Sequence, residues 1–592
     1  MRRRGLAQEA PVALWALALA LLVLGPALAP GFLLVRDMVW VPDLGLHSDV
    51  LGLGSGLPRA VPSDAVVAVL DEVVPGMLLQ KLVLVLALAG GGVGAARLLE
   101  PGARTGDRTG DRTGGDPTAL VVRLVAVTVY GWNALVAERL LMGAWPVLVG
   151  YAVLPWLLGA ASRWRAEDRL PRTLLLLVPL GCLSASAGLA TAVAVLAGAA
   201  GKGRTVKAVL LVAAGNAPWL VAGFLHAASA TSDSAAADVF ALRGEGSVPA
   251  PLAALTLGGI WNTSVQPAAR TGVLGWLALV ALVGLAAVGA RSWWRRTQGR
   301  DRSALVVCWS VGWGLAVLTW LAPGLVGWAS EHVPGAGVVR DGARALVLCA
   351  PLLAVLVAEG VAVLAVRAPA ERVSRTALAI GAVLLPVALL PGLALGAGHR
   401  IEPADYPAAY VEARRLLGNA DHDVAGDVLV LPLSTYRAPA WNHRHLVLDP
   451  VGRFLDRDYV ASDVLVIDAV PLSGEDPRVG DAARALARPT PEERASALGR
   501  IGIGAVVVDP TAPGGPVPEV AGEILLDRPD LQVIGLDGVE VRDVQTSWMV
   551  AMAAAWLVFL APIALALVAA GQTLIGRGTG ARDGLPRGVT GE

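Results

Sequence analysis

Apolar residues run for about 20 positions, the length that crosses a bilayer, near 12–34, 76–98, 118–136, 145–161, 207–226, 272–290, 303–323, 345–366, 376–398 and 548–571. Each run predicts a membrane helix, because a backbone in lipid has to satisfy its own hydrogen bonds. A further apolar stretch, 173–200, is interrupted by Gly181, Ser184, Ser186 and Gly188. It reads either as one crossing or as two short helices, roughly 173–184 and 187–200.

The basic residues arbitrate. Arg2, Arg3 and Arg4 precede the first run; Arg97, Arg104, Arg108 and Arg112 follow the second; Arg163, Arg165, Arg169 and Arg172 follow the fourth. Later clusters are Lys202, Arg204 and Lys207; Arg291, Arg295, Arg296, Arg300 and Arg302; Arg367, Arg372 and Arg375; and Arg577, Arg582 and Arg587. The positive-inside rule makes these segments cytoplasmic. One crossing over 173–200 would put Lys202, Arg204 and Lys207 outside and invert every later loop, whereas a shallow hairpin with its bend buried keeps the alternation. The expected fold is an α-helical polytopic membrane protein of about 12 transmembrane helices, multi-pass in the cytoplasmic membrane, with both termini cytoplasmic.

Segments 35–75, 137–144, 227–271, 324–344 and 399–547 then face outward. The last alternates a helical pattern at Asp405–Leu417, strand-like runs at 427–431, 463–467 and 504–508, and helical patterns near 478–488 and 491–500. Residues 524–526 add an edge strand, and 531–535 with 538–542 a hairpin across Asp537-Gly538. Residues 399–547 are therefore expected to form a small extracytoplasmic α/β domain. Residues 1–398 form the bundle, 548–571 the last helix, and 572–592 a disordered cytoplasmic tail.

Composition supports this reading. Of 592 residues 55% are hydrophobic and 16% charged, and the mean hydropathy of +0.62 is too high for a soluble protein. Lys plus Arg and Asp plus Glu balance at 48 each, so nothing points to nucleic acid. The three cysteines, Cys182, Cys308 and Cys349, sit in apolar runs without metal-site spacing and read as packing residues. The N-terminal run resembles a signal peptide with Ala27-Leu28-Ala29 before its cleavage point, but Pro30 directly after that point favours an uncleaved anchor. The repeat Thr105–Gly114 reads as a flexible cytoplasmic loop. No glycine-rich phosphate motif accompanies the strands, so no nucleotide cofactor is expected.

Chemistry is concentrated at the outer mouth. Asp37 and Asp43 follow the first span, with Asp64, Asp71 and Glu72 further along the same loop. Glu138 and Arg139 stand where the third span reaches the surface, either as an ion pair fixing a turn or with Arg139 on a lipid phosphate. Arg340, Asp341 and Arg344 precede the 345–366 span, as helix-end anchors or as further phosphate ligands. Trp261 and Asn262 belong to the 227–271 loop, and Trp441 to an exposed aromatic and amide cluster with Tyr436, Asn442 and His443. Glu359 lies within the 345–366 span, paired with another helix or protonated.

The layout resembles the GT-C superfamily of membrane glycosyltransferases, and within it the actinobacterial envelope enzymes of arabinofuranosyltransferase and mannosyltransferase type. The similar runs are Arg36-Asp37, Ala137-Glu138-Arg139-Leu140, Asn216-Ala217-Pro218-Trp219, Gly258-Gly259-Ile260-Trp261-Asn262 and Arg340-Asp341-Gly342. The resemblance implies transfer of a sugar from a polyprenyl-phosphate donor to an envelope glycan or glycolipid among the membrane lipids. It implies a base in the first external loop, Asp37 first and Asp43 second, with Mg²⁺ or Mn²⁺ held by the same two acids. Arg139, Arg340 and Arg344 would bind the lipid phosphate; Glu138, Trp261, Asn262, Asp341 and Trp441 would bind substrate. One departure stands out: members of the superfamily often pair two adjacent acids in this loop, and here that pair, Asp71-Glu72, lies at the foot of the second span. The competing readings are a transporter or flippase of a lipid-linked precursor, and a non-catalytic envelope-assembly protein.

Overall fold

A computed structural model describes residues 2–99, 117–201, 203–227, 234–367, 372–418, 424–467, 470–472, 474, 476–512 and 517–580. The Thr105–Gly114 repeat lies outside these residues.

Among the described residues nine helices are long and apolar enough to cross a membrane, and a bent pair, Val373–Leu389 with Pro391–His399, makes a tenth. They coincide with the ten apolar runs. Side chains such as Leu86, Val280 and Leu557 project from them exposed, as lipid-facing residues do. The bent pair turns by 70°, and the carbonyl freed at its break, Leu390, accepts the Trp132 indole N–H at 2.9 Å.

The count of 12 rests on 173–200, which forms two helices, Arg172–Gly181 and Ala185–Ala199, of 10 and 15 residues. At 1.5 Å per residue both fall short of the roughly 30 Å hydrocarbon layer. The chain breaks at Cys182–Ser184, where the Ser184 hydroxyl accepts the Ala187 N–H and caps the second helix. Both helices pack on Trp145–Glu167 and Arg204–Leu225, so the bend is buried in protein.

Two expectations change in detail. The first run was expected to span 12–34, but its helix gives way to a 3₁₀ turn at Gly25–Leu28. Phe32–Leu33 then pairs antiparallel with Pro403–Ala404, and the Gln80 amide holds both the N–H and the C=O of Leu33. Gly25-Pro26 and Pro30-Gly31 end the helix early, and its last apolar residues become part of a layer between bundle and domain. The expected outer turn 137–144 is instead largely helix. Asn133 caps a new helix, Ala134–Leu141, by accepting the Val136 N–H, and all eight residues are buried.

The C-terminal domain carries a five-stranded sheet in the order Glu523–Asp527, Gln532–Gly535, Ile503–Val508, Asp427–Leu431, Tyr459–Val460. Asp427–Leu431 runs parallel to both of its neighbours, and the helices Pro477–Leu486 and Pro491–Gly499 provide the connection expected of a parallel pair. The expected strand 463–467 is not in this sheet: Leu465–Ile467 pairs only with Val470–Leu472. The hairpin joins Glu523–Asp527 to Gln532–Gly535 rather than crossing Asp537-Gly538. Arg437 is buried in the domain between Asp449 at 2.5 Å and Asp509 at 2.8 Å. The last helix, Thr546–Gly580, continues into the expected tail; residues 581–592 lie outside the described ones.

Several arginines of the basic clusters are paired. Arg165 pairs with Asp301, Arg204 with Asp168, and Arg296 with Glu359, which gives Glu359 its partner on another helix.

Candidate functional site

Asp37 sits in a tight turn in which the Val35 N–H reaches Met38 O at 3.3 Å and the Met38 N–H reaches Val35 O at 2.9 Å. Two bodies hold this turn. On the bundle side the Asp37 N–H donates to Met142 O at 3.1 Å, just past the helix Ala134–Leu141. On the domain side the Arg36 N–H donates to Leu446 O and Leu448 N–H donates to Arg36 O, so the loop joins the small hairpin of Tyr436–Arg437 and Val447–Leu448. The turn passes so close to Gly143, whose φ is +74°, that a Cβ there would lie 2.2 Å from Met38 N.

From that hairpin the Tyr436 hydroxyl donates to Asp37 Oδ1 at 2.5 Å. Burial, and then the charge of Asp37, hold the Tyr436 phenol well above its ordinary pKa, so it remains a donor. Beside it, Arg36 donates to Ser264 Oγ at 2.7 Å and Arg400 to Ser264 O at 2.5 Å. Burial pulls both guanidinium groups below their usual value. Asn262 reaches Met142 Sδ at 3.6 Å and accepts the Ser264 N–H at 3.1 Å. Asp37 and Asn262 thus both contact Met142, the first at its carbonyl oxygen and the second at its sulfur.

Asp43 is elsewhere in this junction, exposed and paired with Arg414 at 2.6 Å. Asp37 and Asp43 therefore take separate partners and do not fit a shared Mg²⁺ or Mn²⁺ site, which needs several oxygens converging on one point. No third ligand gathers with them: among the described residues the one group of three His, Cys, Asp or Glu ligands is His47, Asp49 and Asp458.

A second set of predicted residues forms a charged core. Arg139, 1% exposed, donates to Asp341 Oδ2 at 3.2 Å, and Arg344 donates to the same oxygen at 2.9 Å. Burial favours the neutral form of Asp341, but Arg139 and Arg344 outweigh it and hold the carboxyl below its ordinary pKa. Glu138 accepts the Gly259 N–H at 3.3 Å and contacts Glu245. Arg270 holds Glu245 through two hydrogen bonds, at 2.8 and 2.5 Å. Gly258 packs directly against this pair, since a Cβ there would lie 2.4 Å from Glu245 Oε1.

Two of these residues, Asp341 and Arg344, line a cleft. This cleft of about 60 Å³ is lined by Ser186, Leu189, Ala190 and Val193, by Val311 and Leu315, and by Val338, Val339, Asp341, Gly342, Arg344, Ala345 and Leu348, with Asp341 and Arg344 its charged residues. The Arg344 side chain, 40% exposed, reaches toward Ser186 Oγ at 3.4 Å. Arg139 meets this cleft only through Asp341. Arg340 lies 4.9 Å over the Phe240 ring, which packs edge-on against Trp261 at 4.7 Å. Trp441 instead packs with Tyr406 and Tyr410, as part of an aromatic core under the domain.

Tyr436, Glu245, Arg270 and Ser264 were not singled out for these contacts. The aromatic and amide cluster around Trp441 already included Tyr436, and Arg243-Gly244-Glu245-Gly246, a charged pair among glycines before the 258–262 motif, offered a local signal for Glu245.

No family model matches this chain, and no curated protein matches it. Among solved structures it is similar to the arabinofuranosyltransferase AftD from mycobacteria, with a TM-score of 0.48 and 17% identity, over 92% of this chain and 42% of that one. The chain therefore spans less than half the length of AftD.

Proposed function

We propose that the protein is a membrane glycosyltransferase of the GT-C type that moves a sugar from a polyprenyl-phosphate donor to an envelope glycan or glycolipid. The observation that carries this reading is the half-buried Asp37 carboxylate, fixed between bundle and domain by Met142 and Tyr436. A base needs such orientation before it needs a tuned pKa. In the proposed step the acceptor hydroxyl oxygen bonds to the anomeric carbon, its proton passes to Asp37, and the bond to the lipid phosphate breaks with its electron pair left on phosphate. Tyr436 keeps the carboxylate aimed at the acceptor.

The phosphate is assigned to Arg344, whose guanidinium stands at the mouth of the apolar cleft along which an isoprenoid chain would lie. Asp341 orients Arg344, and the buried Arg139 anchors Asp341, so Arg139 acts as a positioning residue. The domain is assigned to the outer face and the arginine-rich helix ends to the cytoplasm.

The test is transfer of labelled sugar by the purified protein from a panel of polyprenyl-phosphate sugars, wild type beside Asp37→Asn and Arg344→Gln. Asp37→Asn should lower the rate about 10²–10⁴-fold, the range for general-base catalysis, and Arg344→Gln should raise KM for the donor. An unchanged rate in Asp37→Asn removes that residue from the role, and transfer from no donor removes the glycosyltransferase reading.

A further inference from the structure

The group of His47, Asp49 and Asp458 takes no part in the reaction proposed above. His47 and Asp49 flank Ser48 at the start of the short helix Ser48–Leu51. Asp458 directly precedes the strand Tyr459–Val460 of the domain sheet. The His47 Nδ1 lies 2.7 Å from Asp458 Oδ1, and the Asp49 N–H donates to the same oxygen at 2.8 Å. One ligand atom from each of the three side chains lies within 4.8 Å of the other two. The side chains of His47 and Asp458 are only 12% and 15% exposed.

Independent of those hydrogen bonds, the chain leaves room for the third ligand. A Cβ on residue 54 would fall 1.9 Å from Asp49 Oδ1, so glycine at this position makes the space that the carboxylate fills. Two carboxylates face each other here, and the nearby Arg478 is already committed to Asp427.

We propose that His47, Asp49 and Asp458 form a divalent-cation site of one imidazole nitrogen and two carboxylate oxygens, a donor set suited to Zn²⁺. Bonds of about 2.0–2.1 Å in a tetrahedral site place ligand atoms roughly 3.3 Å apart. The 2.7 Å pair has to open slightly and the third ligand to close by no more than about 1.5 Å, which an Asp49 side-chain rotation supplies. Water completes the shell. The bound cation replaces the contact between His47 Nδ1 and Asp458 Oδ1 and straps the first loop of the bundle to the domain sheet. The site shares no residue with Asp37, so it stands or falls separately from the glycosyltransferase reading.

The test uses the full-length protein in detergent, stripped with EDTA and exchanged into metal-free buffer, with Zn²⁺ alone as the probe. Calorimetric titration, and elemental analysis after desalting, should find one equivalent in the wild type that is missing from Asp49→Asn and from His47→Gln. Removing a direct ligand should weaken binding at least about 100-fold, since loss of an outer-shell partner alone costs 10–100-fold. Asp49→Asn keeps its backbone N–H on Asp458, and near-UV circular dichroism identifies a variant that has lost its fold. As a second readout, Zn²⁺ should raise the unfolding temperature of the wild type and not of Asp49→Asn. Equal Zn²⁺ stoichiometry in wild type and both folded variants overturns the proposal, and so does a wild type that binds none.

Discussion

Replacing Asp341 should expose how much of the charged core rests on one carboxylate. Its Oδ2 is the only acceptor that Arg139 has among the described residues, since the remaining Arg139 N–H groups are buried without a partner. Removing it strands a guanidinium that is 1% exposed, and breaking a buried pair in this way costs about 3–5 kcal/mol. The Arg344 half of the interaction adds no more than about 1 kcal/mol, because that side chain is 40% exposed and screened by solvent. An amide still accepts one hydrogen bond, so Asp341→Asn should fall near the lower end, about 3 kcal/mol, and Asp341→Leu near the upper. The double variant Arg139→Leu with Asp341→Leu should recover most of the loss, as apolar replacement of a whole buried pair does. Reversible unfolding in mixed micelles, followed by tryptophan fluorescence, measures the cycle.

The same carboxyl sets an acid step. Its folded pKa is lowered, so its stabilisation is complete above the unfolded value of about 3.9 and is lost as pH falls through the folded value. Asp341→Asn should lack that step. A loss under about 1 kcal/mol in Asp341→Asn, or a double variant as unstable as the sum of the two single ones, refutes the reasoning.

Three further outcomes follow from other contacts. Gly143→Ala puts a Cβ 2.2 Å from Met38 N at a φ of +74°; it should displace the Asp37 turn and cut transfer more than about tenfold at the cost of αL strain, about 1–2 kcal/mol, and an unaltered rate would show that the turn does not need this contact. Tyr436→Phe removes a folded-state hydrogen bond to a charged group, so the unfolding free energy should fall by about 1.5–3 kcal/mol, and kcat/KM should drop as the Asp37 carboxylate loses its aim; an unchanged kcat/KM in the folded variant makes Tyr436 a spectator in transfer. Arg437→Met leaves Asp449 and Asp509 unpaired in the domain; hydrogen exchange over 427–535 should rise as if about 3–5 kcal/mol were lost, and native-like protection would contradict the assigned role of this arginine.

Much of the architecture was legible from the chain alone. All ten apolar runs correspond to helices or to the bent pair, because hydropathy over about 20 residues is a local property that no tertiary contact has to supply. The break at Cys182–Ser184 was visible as serine and glycine in an apolar run, and most strands and helices of the α/β domain as changes of period. Misplaced elements lie where local pattern loses to packing. Leu465–Ile467 has the apolar character of a sheet strand, yet Tyr459–Val460 takes that place beside Asp427–Leu431.

The sites were legible as residue types and not as an arrangement. Sequence by itself determined that this chain is built of membrane helices with a folded domain near its C-terminus, and that charged residues cluster at helix ends. Only the tertiary structure decided that Asp37 meets Tyr436 across 399 residues, that Arg139 is buried on Asp341 across 202, and that His47 finds Asp458 across 411. Such pairings depend on how helices and domain close on each other, and the closure of so long a loop leaves no periodic trace in the residues on either side.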